Sequence, residues 1–253
     1  MNEDVLRFYN DLAEQYHLLF DDWDAAIDRQ AQVLNRLLGQ QSKQPLTILD
    51  CACGIGTQAI GLAKGGHRVV ASDLSPAAVA RARREAKRHG VNISFQVSDM
   101  TSLAEILESD FDLVAAMDNA LPHLSPLELT KALRAMTAKL TAGGRFIASI
   151  RDYDKLLSER PTSQPPAFYL QDKNRRIVHQ VWEWLDERRY VVHLYITVQT
   201  GDQWRSSHFA SQYQAILRDE FTSALEGAGY SEVRWIMPEE SGYYQPLVLA
   251  TKH

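Results

Sequence analysis

The sequence predicts a doubly wound α/β domain, and three observations carry that prediction. Short apolar runs of strand length alternate with amphipathic helical stretches between residues 46 and 150. A glycine-bearing turn, DCACGIGT (50–57), follows directly on the first of those runs. Aspartate closes each of the next two, in ASD (71–73) and VSD (97–99). Strand–helix alternation demands a mostly parallel sheet with right-handed crossovers covering both faces. Burial on both faces also explains why the strands are apolar throughout rather than alternating.

In chain order, apolar residues from Val5 to Leu38 recur at helical intervals and predict two helices broken near residues 21–23, then a loop at 39–45. LTILD (46–50) reads as the first strand, followed by a helix over 56–64 and a second strand, HRVVASD (67–73). Ser75 as N-cap and Pro76 in the first turn announce the next helix. ISFQVSD (93–99) is a third strand, 103–108 a short helix, and FDLVAAMDN (111–119) a fourth strand. A helix over 126–140 ends at the glycines of TAGG, and RFIASI (145–150) is the fifth strand.

Beyond Asp154 the alternation stops. SERPTSQPPAFY (158–169) is Pro-rich and predicts an irregular link. Three strand-like runs at 176–185, 190–200 and 206–216 follow without helices between them, as an antiparallel sheet with one wet face requires. A helix at 218–230 and strands at 232–238 and 245–252 complete seven core strands. The expected organisation is a single domain over 1–253: an N-terminal helical cap (1–45), a core (46–153 and 216–253) and an antiparallel insertion after the fifth strand (154–215).

Composition narrows the function classes. With 253 residues, 45% of them hydrophobic, the chain can bury one substantial core. Net charge is -5, and the single basic cluster, five Lys and Arg within 81–90, reads as a solvated helix face. Nucleic acid is therefore not the expected substrate. Cys51 and Cys53 are too close in sequence to staple the fold and too few for a zinc site, so no metal is expected. The acidic N-terminal stretch lacks the pattern of a signal peptide, no apolar run is long enough to span a membrane, and the expected location is cytoplasmic. Exposed strand edges in the insertion leave room for a homo-oligomer.

Loops at the C-terminal ends of parallel strands share one crevice. There, Gly54 and Gly56 let the backbone approach a ligand, and the helix N-terminus after Thr57 offers free N–H groups to a carboxylate. Asp50 lies inside the same loop, where a binding role is expected. Asp73 suits a ribose diol, and Asp99 can accept a hydrogen bond from an adenine amino group. GIGTQA also fits the loose dinucleotide fingerprint with Ala59 in third position, but Asp50 and three small residues separate the strand from its first glycine.

Taken together, ILDCACGIGT, the later SD and SDM, FDLVAAMDNALPHL and LTAGG resemble the class I S-adenosylmethionine-dependent methyltransferases, with a Rossmann-like fold. The segment 9–23 and RDYD (151–154) are most similar to glycine N-methyltransferase and bacterial small-amine N-methyltransferases. The chain departs from the class in having Ala52 where glycine is usual, and from the glycine-methylating relatives in carrying aspartate after Arg151. The resemblance implies S-adenosyl-L-methionine as cofactor and a small-molecule methyl acceptor, an amino-acid-like or amino-sugar-like amine. It implies that Gly54 and Gly56 wrap the methionine part, with Thr57 beside them, that Asp73 and Leu74 hold the ribose, and that Asp99 and Met100 hold the adenine. Asp118 would approach the methionine amino group, and Tyr16 would fold over the site. Arg151 would fix a substrate carboxylate, and His123, facing the methyl group, would accept or pass on the amine proton. Tyr153, His208, Tyr213 and Tyr243 are the remaining substrate-side candidates, and Tyr9 reads as core. Competing readings are a small-molecule O-methyltransferase, an NAD(P)-dependent oxidoreductase and a non-catalytic cofactor-binding protein.

Overall fold

A computed structural model of the chain describes residues 3–39, 45–171 and 174–253. Its helices are α1 (Glu3–Leu12), α2 (Trp23–Gly39), α3 (Thr57–Lys64), α4 (Pro76–Arg88), α5 (Pro126–Lys139), α6 (Tyr153–Glu159), α7 (Arg218–Gly227) and α8 (Pro238–Ser241). The core strands are β1 (Thr47–Asp50), β2 (Arg68–Asp73), β3 (Ser94–Val97), β4 (Phe111–Ala116) and β5 (Leu140–Ser149), with β10 (Tyr230–Ile236) and β11 (Leu247–Lys252) closing the chain.

These seven strands form one sheet in the order β10-β11-β5-β4-β1-β2-β3. β1 to β5 are parallel, and β11 runs antiparallel to both neighbours. This is the doubly wound, mostly parallel sheet that the strand–helix alternation predicts. The order reverses between β1 and β4, which places the ligand crevice at their C-terminal ends. The helix starts follow the sequence: Ser75 Oγ accepts from the Ala78 amide at 3.0 Å, and Ser125 with Glu128 forms a capping box on α5.

The second sheet, β6 (Ser163–Gln171), β7 (Asn174–Trp184), β8 (Arg189–Thr200) and β9 (Gln203–Gln214), is antiparallel throughout, in the order β6-β7-β8-β9. Val178, Leu194, Ile196 and Phe209 on its inner face pack with Phe8 and Leu12 of α1. The N-terminal helix is thereby clamped between insertion and core. Among the described residues no helix is long and apolar enough to cross a membrane.

Four expectations need correction. The Pro-rich stretch is not irregular: it takes in the end of α6 and most of the edge strand β6. Pro165 and Pro166 sit at a register shift between Gln164 and Ala167, where missing donors do not interrupt the ladder. The short helix at 103–108 is absent. The Ser102 and Leu103 amides both turn back to the Asp99 carbonyl, at 3.1 and 2.8 Å, and Leu103 takes φ +50°. The first helix stops at Leu12 rather than near 21, and a separate 3-10 turn, Tyr16–Leu19, swings Tyr16 over the crevice. Finally, TAGG does not end the helix as a free turn. It already belongs to β5, with Gly143 at φ +71° where the pairing with β4 slips register. Of the predicted loop at 39–45, residues 40–44 lie outside the described residues.

Candidate active site

The loop after β1 is tied to the end of β2. The Gly54 amide donates to Asp73 Oδ2 at 2.8 Å, and the Cys53 amide donates to the Ser72 carbonyl at 2.9 Å. Asp73 Oδ1 also takes the Ser75 amide at 2.9 Å, so one carboxylate fixes both loops bordering the crevice. Gly54 has φ +53° and open space where a side chain would stand, whereas a Cβ on Gly56 would meet Ile60 Cδ1 at 3.1 Å. Gly54 therefore faces the crevice, and Gly56, the left-handed N-cap of α3, makes room for helix packing.

The cleft at this reversal point is lined by Gly54, Thr57, Asp73, Leu74, Asp99, Met100, Asp118, Tyr16 and His123, which collects most of the predicted cofactor-side residues. Asp50 is fully buried beneath the loop rather than on the cleft wall. Its Oδ1 accepts weakly from the Ala52 amide at 3.4 Å and its Oδ2 has no partner. Burial, with Asp73 and Asp118 nearby, raises its pKa to about 7. Four carboxylates (Asp73, Asp99, Asp118 and Glu128) line the cleft with no lysine or arginine among its lining residues. Such a wall suits a cationic ligand such as a sulfonium and opposes a dinucleotide's pyrophosphate.

Asp118 and Asn119, which follow β4, both lie in the left-handed region, at φ +57° and +64°. Asp118 is held by four contacts. Its amide donates to Ser149 Oγ at 2.7 Å, its Oδ1 accepts from the hydroxyls of Tyr243 (2.6 Å) and Tyr244 (2.5 Å), and its Oδ2 accepts from Gln58 Nε2 at 2.8 Å. Asn119 Oδ1 accepts from the Arg151 amide and from the Tyr153 hydroxyl, each at 3.0 Å.

A second cavity of about 730 Å³ adjoins the cleft, and Tyr9, Tyr16 and Asp118 line both. Arg151, Tyr213 and Tyr243 line it from below and the side. The Arg151 guanidinium donates to Tyr190 Oη at 2.9 Å and to Gln180 Oε1 at 3.4 Å, between the rings of Trp182 (4.8 Å) and Tyr213 (5.0 Å). Both acceptors are neutral. Among the described residues no carboxylate pairs with it.

His123 ends the 3-10 turn Leu121–His123. The Gln212 carbonyl lies 3.0 Å from Nδ1 and must be the acceptor, so the ring proton sits there. Nε2 is left to accept from the Tyr9 hydroxyl at 2.9 Å. Burial lowers the imidazole pKa to about 4. His123 lines the cleft but not the second cavity, from which Tyr9 and the ring of Tyr213, 4.1 Å away between centroids, separate it.

Two substrate-side expectations fail on geometry. His208 sits on the outer face of β9, exposed and paired with His193 at 3.0 Å, whereas Phe209, Ser211 and Tyr213 face inward. Residues five apart in a strand lie on opposite faces, so His208 and Tyr213 cannot share a wall. Tyr153 is 1% exposed and lies behind Arg151, bonded to Asn119 and to Tyr190 at 3.0 Å. The sequence reads Tyr9 as core and gives no sign of Gln58. For Tyr9 a signal existed: it precedes Tyr16 by two helical turns. Among the described residues no three His, Cys, Asp or Glu side chains group to hold a metal ion. Cys51 and Cys53 are buried and free, and burial pushes both thiol pKa values up.

Residues 48–144 match the methyltransferase-domain family model. Residues 48–144 are thus a methyltransferase domain, and the sheet order and crevice loops agree with the class I S-adenosylmethionine-dependent methyltransferases, whose cofactor is S-adenosylmethionine. Among curated proteins, it is 30% identical over 151 residues to a glycine/sarcosine N-methyltransferase of Parasynechococcus marenigrum, covering 59% of this chain and 52% of that protein. It is also 34% identical over 113 residues to a tRNA 5-carboxymethoxyuridine methyltransferase of Escherichia coli, covering 43% of each. The chain spans about half the length of these relatives. Among solved structures, an S-adenosylmethionine-dependent methyltransferase from Clostridium acetobutylicum superposes with a TM-score of 0.75 at 17% identity, covering 96% of this chain and 97% of the other. An amino pentose methyltransferase from Micromonospora echinaspora superposes equally well, with a TM-score of 0.75 at 20% identity over 90% and 92% of the two chains.

Proposed function

We propose that this protein is a small-molecule N-methyltransferase acting on an amine that carries a carboxylate. The observation that carries this reading is Arg151, a cation held in the second cavity with only neutral partners. A buried guanidinium without a counter-ion is costly, and an acceptor carboxylate, gripped bidentately, removes that cost. The similarity to a glycine/sarcosine N-methyltransferase supports nitrogen as the methylated atom.

S-adenosylmethionine supplies, when bound, an electrophilic methyl group on sulfur. Gly54, Thr57, Asp73, Leu74, Asp99, Met100 and Asp118 would hold it, with Asp50 supporting the loop from beneath. The acceptor enters from the opposite cavity, and the two ligands meet beside Tyr9, Tyr16 and Asp118. Because Tyr9 spends its proton on His123 Nε2, its oxygen is an acceptor toward the second cavity. There it can take an amine N–H and turn the nitrogen lone pair toward the cleft. His123, neutral across the physiological range, orients Tyr9 and does not store a proton. Alignment and exclusion of water supply the remainder, worth up to roughly 7–11 kcal/mol in well-oriented systems.

Calorimetric titration with S-adenosylhomocysteine, beside NADH and NADPH, tests the cofactor assignment. Selective binding of S-adenosylhomocysteine is expected. Binding of a nicotinamide nucleotide instead would return the glycine loop to the dinucleotide enzymes.

A further inference from the structure

The second cavity holds more than a carboxylate clamp. One wall follows the inward face of β8, where alternate residues share one side: Tyr190, Val192, Leu194 and Ile196 are all buried, and Val192 and Leu194 line the space. Tyr190 bonds Arg151 at one end. Leu194 lies four residues further on, roughly 13 Å of strand away. At that end the wall is hydrocarbon: Phe8 and Leu12 of α1 close over Leu194, and Leu19 and Phe20 flank the space. Along β8 this wall grades from a buried cation to hydrocarbon, while Arg29, Gln32 and Arg36 of α2 also line the cavity. Its volume, about 730 Å³, lies within the roughly 300–1,000 Å³ of sites for drug-sized ligands.

We infer that the acceptor is an amino acid with a bulky apolar side chain, a branched alkyl or aryl group, and that Leu19 and Leu194 set this preference. The inference rests on the reading of Arg151 as a carboxylate clamp and adds what the rest of the cavity selects. Glycine and sarcosine would satisfy Arg151 but leave the apolar end filled with water. A polar acceptor would strand its hydroxyls against Phe8 and Leu194. An apolar side chain fills that end, and its carboxylate on Arg151 fixes how far the nitrogen stands from Tyr9.

The test uses the full chain with labelled S-adenosylmethionine and five acceptors: glycine, sarcosine, L-leucine, L-phenylalanine and phenethylamine, which is phenylalanine without its carboxylate. Leucine and phenylalanine should exceed glycine in kcat/KM by at least about tenfold, since even one methylene in a hydrophobic pocket discriminates by roughly 10–200-fold. Leu19→Ala and Leu194→Ala should narrow that ratio by raising the KM for leucine and phenylalanine, while S-adenosylhomocysteine affinity in calorimetry stays unchanged. Leu19 is only half-buried on its 3-10 turn, so its variant serves if the Leu194 variant fails to fold. Glycine or sarcosine methylated as well as phenylalanine would overturn the inference and leave the clamp standing. Phenethylamine methylated as well as phenylalanine would overturn the clamp instead. If no acceptor turns over, calorimetry of the same compounds into protein saturated with S-adenosylhomocysteine decides. Binding of phenylalanine but not glycine supports the inference, and heat from neither refutes both readings.

Discussion

Replacing Arg151 by methionine separates what the residue does for the fold from what it does for a ligand. In the free protein the guanidinium gains two charge-assisted hydrogen bonds, to Tyr190 and Gln180. Each is worth about 1.5–3 kcal/mol, the long 3.4 Å contact at the lower end. Stacking against Trp182 and Tyr213 adds about 0.5–2 kcal/mol per ring. Against these stands the desolvation of an unpaired cation, several kcal/mol after relaxation. The two sides nearly cancel, and methionine fills most of the volume while leaving Tyr190 its bond to Tyr153. Stability should therefore change by no more than about 2 kcal/mol. Carboxylate binding should behave quite differently. Removing one partner of a desolvated charge pair costs about 2–5 kcal/mol, or roughly thirty- to several-thousandfold in Kd. The assay is calorimetric titration of acetate, butyrate and 3-phenylpropanoate into protein saturated with S-adenosylhomocysteine, beside urea denaturation of both proteins. Unchanged carboxylate affinity in the variant would refute the clamp. A stability loss above about 4 kcal/mol would mark Arg151 as part of the structural core.

Three further outcomes follow from the same geometry. Asp73→Ala removes the carboxylate that holds the Gly54 and Ser75 amides, so S-adenosylhomocysteine affinity should fall by at least about tenfold, one lost charged hydrogen bond, in calorimetry. Tyr9→Phe should lower kcat by about ten- to a hundredfold at constant acceptor KM. Its pH–rate profile should keep the shape of the parent's, because His123 does not titrate between pH 5 and 8. His123 also predicts an acid lability. Its folded pKa of about 4 lies below the ordinary 6.5, so the unfolded chain binds more protons between those values and stability is lost as pH falls through that window. Asp50, with its pKa raised to about 7, gains stability over the same window, so His123 is read as a difference. From pH 7.5 to 5 the parent should lose about 2 kcal/mol relative to His123→Gln in urea denaturation, a variant whose amide can still bridge Tyr9 and Gln212. An equal loss in parent and variant would place the lability elsewhere.

The sheet was legible because its signals are local. Buried parallel strands are apolar at nearly every position, and Ser75-Pro76 announces its helix within four residues. Most of the residues read as cofactor-side reach the cleft for the same reason: Gly54, Asp73, Leu74, Asp99, Met100 and Asp118 end or closely follow strands whose ends must face the crevice. The substrate side was not legible, because it depends on long-range placement. His208 was assigned to the cavity with Tyr213 although strand alternation puts them on opposite faces; the information was present and went unused. Tyr153 looked like a ligand residue from its place beside Arg151, but α6 begins there and turns the ring inward, where it buttresses Asn119 and Tyr190. Nothing local reveals that Gln58, in the first turn of α3, reaches Asp118, or that Tyr244 joins it from the other end of the chain. Pro165 and Pro166 misled in the opposite sense, since proline excludes a central strand but not an edge strand at a bulge.

The Asp118–Asn119 pair draws these parts into one mechanism. Two consecutive non-glycine residues in the left-handed region cost of order 1–3 kcal/mol each and persist only where their surroundings over-determine them. Here they do: Ser149, Gln58, Tyr243 and Tyr244 fix Asp118, while Arg151 and Tyr153 fix Asn119. On the proposed reading the two side chains serve different ligands. Asp118 borders the cofactor cleft and the acceptor cavity, whereas Asn119 lines only the cavity and anchors the backbone of the residue proposed to hold the acceptor. A regular continuation of β4 would send adjacent side chains to opposite faces of the sheet. The left-handed turn instead keeps both at its C-terminal edge. The distance between the methyl donor and the carboxylate clamp is therefore set by one rigid dipeptide rather than by two independent loops. In a reaction that depends chiefly on alignment, this is where backbone strain contributes most.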